Sequence, residues 1–156
     1  MRRVIAALVV AAAIVVLAPT QALAAGQVVA NGGGNGTFDM ATAGSHFGFA
    51  VVFGTTVTGH FECNMAGNAA FDGLHLMAVE GPVTAGVANA AAGTATFSGA
   101  GTLHMDAQKM DVTFYVVVRE GGPGVGKLQL TVTTRGGAPV AAFPPETVMT
   151  GQIRVH

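Results

Sequence analysis

The chain has no tryptophan, one cysteine and one tyrosine, and only 10% of its residues are charged. Each scarcity excludes something. A single cysteine, Cys63, rules out a disulfide within the chain, so the fold must be held by packing. Serine occurs only at Ser45 and Ser98, neither in the Gly-x-Ser-x-Gly setting of a nucleophile elbow. Seven Lys and Arg face eight Asp and Glu, and two of the cations, Arg2 and Arg3, belong to the leader considered next. The remainder carries a formal charge of −3, which argues against nucleic acid and against anionic membrane surfaces as partners.

Only one long apolar run is present. Val4 to Ala18 has no polar residue, follows Met1-Arg2-Arg3, and is broken at Pro19-Thr20-Gln21. Ala22 and Ala24 put small residues where a signal peptidase reads them. That layout predicts a secretory signal peptide over residues 1–24, helical in its apolar part, with cleavage after Ala24 or one residue later. A spanning helix wants roughly 20 apolar residues, more than this run supplies, so stable membrane insertion is not expected after cleavage. No cysteine follows to take a lipid. The expected product is secreted or extracytoplasmic, a single domain over 25–156, large enough for its own core.

Glycine is abundant: all 23 lie after the leader. Gly costs about 1 kcal/mol against Ala inside a helix, so long helices are not expected. Alternation with a period of two recurs instead. Val57, Phe61, Cys63 and Met65 oppose Thr58, His60, Glu62 and Asn64. Val112, Phe114, Val116 and Val118 oppose Thr113, Tyr115 and Arg119, and Leu128, Leu130 and Val132 oppose Gln129, Thr131 and Thr133. Antiparallel strands with one buried face read this way. Further strands are expected at Gln27–Asn31, Gly36–Ala41, Ser45–Phe53, Leu74–Glu80, Thr94–Met105 with a bulge near Gly99, and Val148–Val155. Turns are expected at 32–36, Asp72-Gly73, Gly81-Pro82, 89–93 and 121–126, and a loop over 135–147. The fold class is therefore all-β, an antiparallel β-barrel or β-sandwich of about 8–10 short strands.

Parity sets registers. A three-residue turn at Gly54-Thr55-Thr56 pairs Phe53 with Val57, Phe49 with Phe61 and Phe47 with Cys63, and sets His46 across from Asn64. The same rule pairs Val118 with Leu128, Val116 with Leu130 and Phe114 with Val132.

A glycine-rich lead, Phe47-Gly48-Phe49, Thr58-Gly59-His60, Thr96-Phe97-Ser98-Gly99-Ala100-Gly101-Thr102 and a last hairpin stand in order across residues 32–132. In these the chain resembles the small secreted bacterial β-domains catalogued as post-COAP domains. Their hairpin turn usually carries acidic residues around Gly-Glu-Pro-Gly. Here it reads Gly121-Gly122-Pro123-Gly124, flanked by Arg119 and Lys127. The resemblance implies export and an all-β fold, and no catalytic residue.

Candidate chemistry is thin. Gly121 to Lys127 matches the spacing of a phosphate-binding loop, but Leu128 replaces the required Ser or Thr and a strand follows rather than a helix. His46, His60 and Glu62 form a weak metal or acid–base candidate on a wet face, against the plainer reading of a solvated sheet. His104 and Asp106 fit an outer face. Cys63 shares its face with Phe61 and Met65 and is expected buried and inert. Met40, Met65, Met105 and Met149 are expected as core filler. No cofactor is indicated, and no partner is identified. The leading expectation is a secreted, non-enzymatic binding, adhesion or structural module. The alternative is a carrier of a small apolar ligand inside a barrel, and third a metal-dependent hydrolase using His60 and Glu62.

Overall fold

A computed structural model describes residues 26–40, 44–66 and 76–156. The expected leader over 1–24, its cleavage point, Ala41, the Asp72-Gly73 turn and the first residues of the Leu74–Glu80 strand lie outside the described residues.

The described chain is all β, with ten strands: β1 Val28–Thr37, β2 Ser45–Phe53, β3 Val57–Ala66, β4 Leu76–Val83, β5 Ala85–Asn89, β6 Thr94–Met105, β7 Gln108–Arg119, β8 Lys127–Thr134, β9 Pro139–Ala142 and β10 Glu146–Val155. Every pairing is antiparallel. The order β10-β1-β2-β3-β4-β6-β7-β8 returns to β10 through a short β8–β10 pairing, so the strands form a ring.

Two partners of the ring bend, and both bends contain proline. β4 and β5 lie one after the other along β6, joined across Gly81-Pro82-Val83-Thr84. β9 and β10 lie along β8, joined across Phe143-Pro144-Pro145. Proline withholds a ladder donor, so a strand that passes through it tends to leave the ladder there.

Both expected hairpin registers are observed: Phe53↔Val57, Phe49↔Phe61, Phe47↔Cys63 and His46↔Asn64, then Val118↔Leu128, Val116↔Leu130 and Phe114↔Val132. Five other expectations are corrected. The 32–36 run is not a turn; it lies inside β1, paired on both sides with β2 and β10. Gly81-Pro82 is the end of β4 rather than a turn. β6 pairs with β7 without a register shift, so there is no bulge at Gly99. The 135–147 loop contains β9, and β10 begins at Glu146 rather than Val148. β5 was not anticipated.

The core explains the glycines. The inward positions of β1 are Ala30, Gly32, Gly34 and Gly36, facing Val51, Phe49, Phe47 and Ser45 of β2. A Cβ on Gly32 would stand 2.8 Å from Phe49 Cε1 and 3.0 Å from Ile153 Cγ1. Across the ring, Phe114 covers Gly99 and Gly101, at 2.9 and 3.2 Å from the positions their Cβ atoms would take. The missing side chains make room for phenyl rings. Phe47, Phe49, Phe97, Phe61 and Phe114 run through the interior with successive centroids 6.4, 5.2, 5.9 and 5.2 Å apart. Those are the separations of offset and edge-on aromatic pairs, worth about 0.5–1.5 kcal/mol each beyond the area they bury. Phe61, Phe97, Phe114 and Leu103 are fully buried.

Gly34 and Gly151 face one another where β1 meets β10, both at positive φ (145° and 84°). A Cβ on either would collide with the opposite backbone. The register shifts beside them, from Asn35↔Thr150 to Gly36↔Val148, and Met149 is the extra residue. The shift turns the β10 side chains over, so Glu146 and Val148 point inward at one end, and Ile153 and Val155 at the other.

Candidate functional site

The outer face of β2, β3 and β4 carries the polar residues that parity assigns to it. His46, Glu62, Asn64 and Glu80 are exposed, and together with Ala78 they line a shallow groove of about 270 Å³. Glu62 and Glu80 stand directly opposite one another across β3 and β4. Like charges at opposed positions repel, and this pair lies in water where the repulsion is screened.

His60 goes elsewhere. It pairs with Ala50 on one side and Pro82 on the other, and lies in a second depression with Gly81, Thr102, Asp111 and Arg135. Asp111 and Arg135 form an exposed ion pair at 3.5 Å there. Glu80 touches both depressions. His60 and Glu62 thus share the outer face of β3, with Glu80 beside both, while His46 lines only the first depression. Among the described residues no three His, Cys, Asp or Glu side chains come together as metal ligands would.

Three other expectations are corrected. Met40 is not core filler; it is 55% exposed and sits at φ 64° beyond β1. Met149, the extra residue of the β10 irregularity, is half-buried and off the inward face. Asp106 does not share a face with His104. It occupies the two-residue β6–β7 turn at φ 50°, a left-handed position that Asp tolerates. Met65 is buried, and Met105 is half-buried against the core.

The Gly121–Gly126 segment is a hairpin turn that docks on β10. Gly121 N–H donates to Ile153 O, Gly124 N–H to Val148 O, and Gly126 N–H to Gly122 O. Amides that would cradle a phosphate are engaged within the protein.

The least anticipated group lies inside the ring. Glu146 is 2% exposed and Ser45 1%, and the Ser45 hydroxyl donates to Glu146 Oε2. Oε1 is buried and has no partner among the described residues. Cys63, 3% exposed, stands beside them. Burial pushes its thiol up to about 12, the Glu146 carboxylate pushes the same way, and a hydrogen bond with Ser45 opposes both. Burial also raises Glu146 above the ordinary carboxyl range, against the Ser45 bond. A thiol so disfavoured as thiolate is a poor nucleophile. Glu146 is hidden in the sequence because the glycines and prolines of 135–147 read as a loop. The signal was there: Glu146 lies two residues before Val148, as Ser45 lies two before Phe47, and both share the inward parity.

Among the described residues no helix is long and apolar enough to cross a membrane. No family model, no curated protein and no solved structure matches the chain.

Proposed function

We propose that this chain is an exported, non-enzymatic β-domain that works through its outer surface, as a binding, adhesion or structural module. The observation that carries the reading is a row of five phenyl rings through the interior, each against the next, in the space that a carried ligand would need. In this reading the strand ring is a closed barrel whose inside is solid core. The carrier alternative requires a cavity among those same rings. The metal-dependent hydrolase alternative requires His60 and Glu62 to share a metal with a third ligand, and among the described residues no three such side chains come together. Export rests on the leader-like residues 1–24 and agrees with the resemblance to post-COAP domains.

Native mass spectrometry of protein purified from its own culture medium tests this. The expected species begins at Ala25 and carries no small molecule. A stoichiometric apolar adduct would replace the surface module with the carrier, and a species that retains Met1 would remove the export reading.

A further inference from the structure

Apart from the Cys63 thiol, Glu146 is the one ionisable side chain among the described residues that is buried in the core. Its position matters as much as its burial. β10 begins there, and Glu146↔Leu128 and Thr147↔Lys127 are the only two pairs that join β10 to β8. The side chain reaches over β1, where Gly36 leaves the space: a Cβ on Gly36 would overlap Oε2. It ends at the Ser45 hydroxyl on β2. One side chain therefore links β10, at its seam with β8, to the β1–β2 hairpin.

Among the described residues, none that faces the carboxyl supplies a positive charge. β1 offers Gly36, and Thr37 beside it donates to Asp39 Oδ1 at 3.0 Å. β2 offers Ser45, with His46 exposed on the outer face. β3 offers the Cys63 thiol. On β8, Leu128 lies opposite, and the Lys127 ammonium donates to Thr147 Oγ1 at 2.5 Å. A carboxylate in such a place is an uncompensated buried charge, whereas the protonated acid leaves only one polar oxygen unpaired. We propose that the buried Glu146 carboxyl is a pH-sensitive latch on the ring: protonated, it stays inside with its Ser45 bond, and ionised, the cost of burying its charge exceeds what that bond returns, so it moves toward water and loosens the β8–β10 seam.

The direction of the linkage follows. Burial raises the folded-state value of Glu146 above its unfolded one. Its contribution to stability is then complete below the ordinary carboxyl range and is lost as pH rises through the raised value. The other fastenings near the seam are the two strand pairs, the Lys127–Thr147 bond, and the docking of the turn through Gly124 and Gly126 on Val148 and Gly121 on Ile153.

The test is a carbon-13 NMR titration of the Glu146 carboxyl in the full chain, with the amides of Gly126, Thr147 and Val148 followed in parallel. The expected result is a midpoint above the ordinary glutamate range, with the seam amides shifting at that midpoint and losing exchange protection beyond it. Glu146→Gln, uncharged at every pH, should keep the seam closed throughout. Ser45→Ala gives a second reading if the Gln variant does not fold. Without the bond that favours the ionised form, the midpoint should rise, and the seam should lose protection even at low pH. A midpoint in the ordinary range, or seam amides that ignore it, overturns the latch. So does a Gln variant that opens as the parent does.

Discussion

The ring of Phe49 occupies the space that a side chain on Gly32 would take: a Cβ there would lie 2.8 Å from its Cε1. The two residues face each other across β1 and β2. Gly32→Ala is therefore expected to destabilise by ~1–3 kcal/mol through overpacking. Urea unfolding of Gly32→Ala, Phe49→Leu and the double variant checks this. The double variant should recover part of the loss, because the smaller side chain vacates the contested space. Strict additivity would mean that the two do not share it.

Cys63 is expected to resist thiol reagents in the native state and to react fully in denaturant. With its thiol pushed up to about 12 from an unfolded value of 9.0, its contribution to stability is complete below 9.0 and lost as pH rises toward 12. Cys63→Ala removes buried atoms at a cost of ~1–2 kcal/mol and should flatten that alkaline slope. Rapid native labelling would contradict the burial.

The turn at Gly121–Gly126 fastens β7 and β8 to β10. A Cβ on Gly126 would stand 2.4 Å from Gly121 O and 2.7 Å from Val148 Cγ2. Gly126→Ala should displace the turn and destabilise by ~1–3 kcal/mol, a cost of overpacking against backbone. Gly124→Ala is the informative partner. It meets no atom within 4 Å, so its cost should be only that of the strained φ of 78°, of order 1 kcal/mol. Equal losses would remove the steric explanation.

His46 and His60 are exposed on different parts of the outer face. Single replacements by Ala should change stability by under about 0.5 kcal/mol. Zinc added at equimolar concentration should leave the melting temperature unchanged in the parent and both variants. A zinc-dependent rise that both replacements abolish would show that the histidines converge in solution.

Alternation was enough to place β2, β6 and β8 at their ends and to pair β2 with β3 and β7 with β8 residue by residue. In short hairpins the turn length and the face of each apolar residue leave one register open. The buried position of Cys63 followed in the same way. β1 was legible only at its ends, in the strands expected at Gln27–Asn31 and Gly36–Ala41, the second of which stops at Thr37; between them Gly32, Gly33 and Gly34 carry no side chain to alternate, and a run of glycine reads as a turn. β5, with Ala85, Gly86 and Ala88, has the same defect. Glu146 was lost differently, since a charged residue beside Pro144 and Pro145 reads as loop.

The composition and the two-residue period by themselves determined an all-β domain, its hairpins and most of its inward-facing residues. They could do so because a strand's side chains alternate whatever it pairs with. Only the tertiary structure decided that β1 lies between β2 and β10, that β10 reaches β8 to close the ring, and that Glu146 ends inside it. The β1–β10 pairing joins segments more than a hundred residues apart, and Glu146 meets Ser45 across a separation of 101 residues. Their physical reason is complementary volume: glycines on one strand receive the rings of Phe49 and Phe114 from others, and Gly36 admits Glu146. That complementarity exists only once distant strands are side by side.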